Sequence, residues 1–238
     1  MKTGLTLEQL AAEITRQQNA KEDYVVNTGN LRLESYGHDL ALHVLNSDGA
    51  DRIEPLEIGD IAHRQIGTHL SIPAKYYERM RSEDPGLLAH NVNTWLERTP
   101  AQRMIRVLDG KARAYLSNRY LRMDNYSIAS AVLPILAEIP DVRIESCQIT
   151  DSRMYIKAVN PRLQEDVTPG DTVQAGVVIS NSEVGLGSVN IQPLIYRLVC
   201  SNGMVVNDAA TKAGQRMRRR TSSSIPKRRW LQTITLFC

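Results

Sequence analysis

The chain has 238 residues, of which 42% are hydrophobic, and this is enough for one large α+β domain or two small ones. Residues 212–238 hold eight lysines and arginines and no acid, so the net charge of +3 leaves −5 (+3 minus 8) on residues 1–211. The basic tail therefore dominates any argument from whole-chain charge, and the absence of a long apolar run or a signal-peptide core predicts a cytoplasmic protein without a membrane partner.

The N-terminal third of the chain predicts a helix, a hairpin and then a group of helices. Apolar residues at helical spacing predict a helix over Leu5–Ala20. Two short alternating runs, 31–36 and 40–45, predict a β-hairpin around Gly37. From residue 58 to residue 98 the spacing predicts three helices, in which Pro73 and Asp84-Pro85 mark helix starts.

Hairpins dominate the rest of the chain. Residues 104–108 and 112–116, separated by Asp109-Gly110, predict the firmest hairpin. A helix over 126–136 and a hairpin over 142–149 and 154–159 follow, and then two longer strands over 173–181 and 188–200. We therefore predict an α+β fold in which hairpins build an antiparallel sheet and helices pack on one face.

Three aromatic residues of the helical region, Tyr76, Tyr77 and Trp95, recur at helical spacing. Such a stripe usually packs in the core of a protein, and we predict a core role rather than a ligand site. The Gly185-Leu186-Gly187 element precedes a strand rather than a helix, so we interpret it as a turn and not as a dinucleotide fingerprint.

The cysteines and histidines are poorly placed for metal binding. The three cysteines, Cys147, Cys200 and Cys238, are far apart, and no Cys-x-x-Cys pair is present. His63 and His69 are six residues apart, which is not the spacing of a helical metal site. We expect no disulfide, no metal and no cofactor.

The best candidate for contacts with nucleic acid lies at the end of the 104–116 hairpin. Arginine can bind phosphate through two hydrogen bonds, and tyrosine can stack on an unpaired base. The candidate residues are Arg106, Arg113, Arg119, Tyr120 and Arg122. The alternative is a solvated hairpin whose tyrosines pack inward.

The segment Ile195–Val206 contains an apolar strand and a sharp Ser-Asn-Gly turn. Its turn residues are Arg197, Cys200, Ser201, Asn202 and Gly203. This segment resembles the Arg-Leu-Val-Cys-Ser-Asn-Gly stretch of phage/plasmid-like proteins of the family called domain of unknown function 932. Residues 114–120 resemble a Leu-Ser-x-Arg-Tyr segment of the same family, so the resemblance is expected to cover about 30–210. It implies a fold and a phage, prophage or plasmid setting, but no active site.

Three function classes remain open. We predict a non-catalytic accessory of DNA metabolism that binds single-stranded nucleic acid. An enzyme would need a nucleophile such as Cys200, or the acids Glu183 and Asp208, and no activating partner is evident from spacing. The third class is a protein–protein interaction module that acts on host factors.

The organisation expected is a single α+β domain over 1–211 followed by a basic tail. Residues 212–238 have no apolar period and cannot bury enough surface to offset the entropy of ordering, so we predict disorder there. The segment also departs from the family pattern, and our hypothesis is that it is a frameshifted end.

Overall fold

The computed structural model describes residues 4–46, 49–50, 52–168, 171–197 and 204–205. Its helices are α1 (Leu7–Ala20), α2 (Asp60–His69), α3 (Ala74–Glu83), α4 (Pro85–Arg98) and α5 (Asn125–Glu138). Its strands are β1 (Lys21–Asn27), β2 (Leu31–Tyr36), β3 (Asp39–Val44), β4 (Leu56–Ile58), β5 (Gln102–Leu108), β6 (Lys111–Ser117), β7 (Arg143–Ile149), β8 (Met154–Thr168), β9 (Asp171–Asn181), β10 (Asn190–Arg197) and β11 (Met204–Val205).

The strands form two sheets, and the predicted α+β class is confirmed. The larger sheet has the order β1-β5-β6-β4-β3-β2, and the smaller has the order β11-β10-β9-β8-β7. All strand pairs are antiparallel except β4 with β6. The predicted hairpins are present, but they divide between two sheets instead of joining one.

The larger sheet is covered on one face by α2, α3 and α4. Apolar side chains of these helices and of the sheet share one cluster, in which Leu88, Val92 and Ile105 are fully or almost fully buried. Burial of these side chains removes apolar area from water, which stabilises the layer by about 25 cal/mol per Å². The three helices therefore pack on one face, as the sequence predicts.

The smaller sheet has its own helical layer, formed by α1 and α5. Leu10 and Ile14 of α1 pack with Val132 of α5 and with Ile156 of β8. Helix α1 begins with a capping box, in which the Thr6 side chain accepts from the amide of Gln9 and the Gln9 side chain accepts from the amide of Thr6.

The β5–β6 turn has the backbone that its sequence requires. Asp109 and Gly110 have φ angles of 52° and 74°, which is the left-handed pair of a two-residue hairpin. In the part of the chain that the structure describes, no helix is both long and apolar enough to cross a membrane.

Candidate functional site

Between the two sheets lies a group of buried and half-buried charges that we call the junction cluster. Its members are Lys21, Asp23, Arg106, Arg113, Asp124 and Glu183. The first four come from the larger sheet, Asp124 precedes α5, and Glu183 belongs to the β9–β10 connection. The cluster therefore links residues that are far apart in sequence.

Arg106 is the centre of the junction cluster and has no exposed surface. Its guanidinium donates to Asp23 Oδ1 at 2.9 Å, to Asp124 Oδ1 at 2.6 Å and to the carbonyl of Glu183 at 2.9 Å. Burial alone would lower the pKa of Arg106, but the hydrogen bonds and charges of the two aspartates outweigh it and raise that pKa. Arg106 is therefore a charged and fully engaged group.

Glu183 makes the second set of contacts across the junction. One carboxylate oxygen accepts from the amide of Asn125 at 2.6 Å, and the other pairs with Arg113. Burial would raise the pKa of Asp124, but hydrogen bonds from Lys21 and Arg106 lower it below its usual value. The buried charges are thus compensated in pairs, so removing one member leaves its partner unpaired at a cost of about 3–5 kcal/mol.

The structure does not bring the five predicted nucleic-acid contacts to one surface. Arg106 and Arg113 belong to the junction cluster, and the hydroxyl of Tyr120 donates to the carbonyl of Ser182 at 3.1 Å. Arg119 and Arg122 are exposed on the segment that follows β6. Arg106 offers no cation to solvent, because its burial separates it from any polymer at the surface.

The family turn segment is only partly described. The backbone of Arg197 pairs with Val173 in the smaller sheet. Cys200, Ser201, Asn202 and Gly203 lie outside the described residues, as do Asp208 and the tail 212–238. Cys147 is a buried free thiol, and burial raises its pKa above the ordinary value.

Two aromatic residues predicted to be in the core lie instead at the surface. Tyr77 is buried, but Tyr76 is 47% exposed and Trp95 is 43% exposed. The prediction is wrong for these two because adjacent residues on a helix point about 100° apart, and each of them precedes a buried residue of its helix, Tyr77 or Leu96. Tyr77 and Met80, three residues apart, face the core together, and Tyr76 is directed away from it.

Tyr76 and Trp95 line a concave site of about 590 Å³ that we call the aromatic cleft. Its lining residues are His69, Leu70, Ser71, Ile72, Pro73, Tyr76, Met80, Asn91, Trp95 and Thr99. The volume is in the usual range of ligand sites, about 300–1,000 Å³. No carboxylate is among the described residues that line it.

Arginines flank the aromatic cleft. The guanidinium carbon of Arg98 lies 5.4 Å from the centre of the Trp95 ring, and that of Arg103 lies 5.6 Å from the centre of the Tyr115 ring. The Tyr115 hydroxyl is 2.9 Å from Nδ1 of His69, which connects Arg103 to the cleft. Burial, and to a smaller extent the charge of Arg103, lowers the pKa of His69, so this imidazole is neutral at pH 7.

The positive charge near the aromatic cleft is not compensated locally. Among the described residues, no carboxylate lies within ion-pair distance of Arg98 or Arg103. The Nε atom of Arg103 is buried and has no hydrogen-bond partner within that part of the chain. An anion at this site would therefore gain charge-assisted hydrogen bonds without breaking an ion pair among the described residues.

A second concave site, of about 720 Å³, has the opposite charge character. Three carboxylates, Asp39, Glu57 and Glu78, line it together with Arg81. We call it the acidic cleft. Buried His63 faces this cleft, and its Nδ1 atom is 2.9 Å from the hydroxyl oxygen of Tyr77. The excess of carboxylates disfavours an anionic ligand here.

Sequence reasoning missed the aromatic cleft, although a local signal was present. Trp95 and Arg98 are three residues apart on α4, so they share a helix face. An aromatic ring that shares a helix face with an arginine is more typical of a surface contact than of a core stripe. The groups contributed by α2, α3 and β5 could not be assigned to one site without the fold.

Residues 114–228 match the model of the family described as a domain of unknown function, DUF932. The match begins later than the expected residue 30 and continues past residue 210 into the basic tail. It includes β6 from Ala114 onward and all later elements, whereas the aromatic cleft precedes it. No curated protein and no solved structure matches the chain.

Proposed function

We propose that the chain, whose residues 114–228 match the model of the family described as a domain of unknown function, DUF932, is a non-catalytic protein that binds single-stranded nucleic acid. The observation that carries the proposal is the aromatic cleft, with two exposed rings, flanking arginines and no described carboxylate in its lining. A role as an accessory of DNA metabolism in a phage, prophage or plasmid is part of the same proposal.

Base stacking would supply the binding energy at the aromatic cleft. An unpaired base can stack on Trp95 or Tyr76, and each such contact contributes about 1–3 kcal/mol. Arg98 already lies over the Trp95 ring and would extend the stack by a cation–π contact while approaching the phosphate. The neutral imidazole of His69 can exchange a hydrogen bond with a base edge or a sugar.

A single strand fits these features better than a duplex does. In a duplex the bases are stacked on one another, and their faces are not available to protein rings. The described residues that line the aromatic cleft include no acid, and this also supports a polyanion over a neutral aromatic ligand.

The test is a titration of the full chain with fluorescein-labelled oligothymidylate at low salt, read by fluorescence anisotropy. Replacing Trp95 by alanine should weaken binding by roughly 5- to 160-fold, because one stacking contact is lost. Tyr36→Ala is the matched control, since Tyr36 is 55% exposed but lines the acidic cleft. Equal affinities of the wild type and the Trp95→Ala variant, or an equal loss in Tyr36→Ala, would contradict the proposal.

A further inference from the structure

A row of three arginines begins at the aromatic cleft. Its members are Arg98 at the end of α4, Arg103 on β5 and Arg119 after β6, and we call it the arginine row. Some other exposed arginines, such as Arg79 and Arg162, have carboxylate partners. Others have none among the described residues: Arg52, Arg64 and Arg143. Within the described residues, none of the three members has one.

The register of the β5–β6 hairpin connects Arg103 to Arg119. Arg103 is directly opposite Ser117 in the antiparallel pair, and the amide of Arg119 donates to Oγ of Ser117 at 3.2 Å. From strand spacing and residue rise, the Cα atoms of Arg103 and Arg119 are separated by on the order of 10 Å. The row thus leads from the cleft into the segment that matches the family.

We infer that a strand held in the aromatic cleft continues along the arginine row, so that the ligand is an oligonucleotide of several residues and not a mononucleotide. This inference rests on the proposed function. Stacked nucleotides repeat at about 3.4 Å along one strand, so the step from Arg103 to Arg119 corresponds to two or more phosphates. Each arginine would then meet a different phosphate.

Two neighbouring arginines differ from the arginine row because they have carboxylate partners. Arg122 is 56% exposed, but its guanidinium is 3.5 Å from a carboxylate oxygen of Asp23. Arg113 is paired with Glu183 inside the junction cluster. Both must lose or share a partner to bind phosphate, whereas Arg119 need not.

The experiment compares thymidine monophosphate with oligothymidylates of about four and eight nucleotides on the full chain, over a series of salt concentrations. Affinity should rise from the mononucleotide to the longer strands. Arg119→Ala should leave mononucleotide binding unchanged and weaken binding of the longest strand. It should also reduce the slope of log K against log salt by about 0.7, the value for one phosphate of a single strand.

Arg162→Ala is the matched control, because it removes one exposed but paired arginine. The basic tail is the same in all variants, so its contribution cancels in the comparison. Unchanged affinity and slope in Arg119→Ala, with binding still lost in Trp95→Ala, would overturn the arginine row and leave the cleft intact. No binding of any strand by the wild type would overturn the proposed function as well.

Discussion

At the scale of single residues, His63 shows how burial fixes a protonation state. The side chain is 2% exposed and lies against Tyr77. Burial, with a smaller effect from Arg81, lowers the pKa of His63 to about 4, whereas an imidazole in the unfolded chain titrates near about 6.5. The folded protein therefore holds His63 neutral throughout the physiological pH range.

This pKa difference predicts a loss of stability in acid. Between about pH 6.5 and pH 4 the unfolded chain binds a proton at His63 that the folded chain does not bind, so the free energy of unfolding falls as the pH falls. The total change is roughly 3 kcal/mol, and it levels off below about pH 4, where both states are protonated. His63→Gln should remove this part of the pH dependence.

Urea unfolding at several pH values within this window measures the effect. His38→Gln is the control, because His38 is exposed on the β2–β3 turn. The readout is the slope of stability against pH, which is independent of any overall loss of stability in the variant. A slope as steep in His63→Gln as in the wild type would show that His63 is not the titrating group.

At the scale of elements, glycine positions decide how closely the helices pack. Gly67 of α2 lies against the Tyr77 ring of α3, and a Cβ atom at residue 67 would be 2.9 Å from Cδ2 of Tyr77. Gly86 of α4 has room, since a Cβ atom there would meet its nearest neighbour, Oδ1 of Asp84, at 3.4 Å. The same substitution should therefore have opposite effects at the two positions.

Gly67→Ala should destabilise the protein by about 1 kcal/mol. Overpacking costs about 1–3 kcal/mol, which exceeds the gain in helix propensity of about 1 kcal/mol. Gly86→Ala should be neutral or stabilising by up to about 1 kcal/mol, because only the propensity changes. Thermal unfolding of both variants gives the comparison, and equal melting temperatures would contradict the packing argument.

At the scale of the whole molecule, the junction cluster joins the two sheets. Glu183 lies in the connection between β9 and β10 and contacts Arg113 of the larger sheet and the first residue of α5. Because these contacts are buried and charged, they should make the two sheets unfold together. The expected single α+β domain depends on this coupling.

Glu183→Ala should separate the unfolding transitions of the two sheets. In a Trp230→Phe background Trp95 is the only tryptophan, so its fluorescence reports on the helices of the larger sheet. Far-UV circular dichroism reports on both sheets. The two transitions should coincide in the background protein and diverge after Glu183→Ala, whereas the exposed control Glu78→Ala should leave them coincident. Coincident transitions in Glu183→Ala would argue against the junction as the coupling element.

The sequence by itself determined most of the elements and the α+β class, although it did not predict β1 and β4. The Asp109-Gly110 turn, the helix starts at Thr6 and Asp84, and the alternating strands act over a few residues, so local patterns predict them. The candidate site was predictable only in part: Arg119 was expected at the surface and is exposed there, whereas Tyr76 and Trp95 were expected in the core.

Only the tertiary structure decided which side chains meet. Arg106 of β5 was expected to contact nucleic acid at the surface, but this side chain is buried and donates to the carbonyl of Glu183, which is 77 residues away. The division into two sheets and the convergence of α2, α3, α4 and β5 at the aromatic cleft have the same origin. Contacts over such distances depend on how whole elements pack, and no local pattern of residues encodes them.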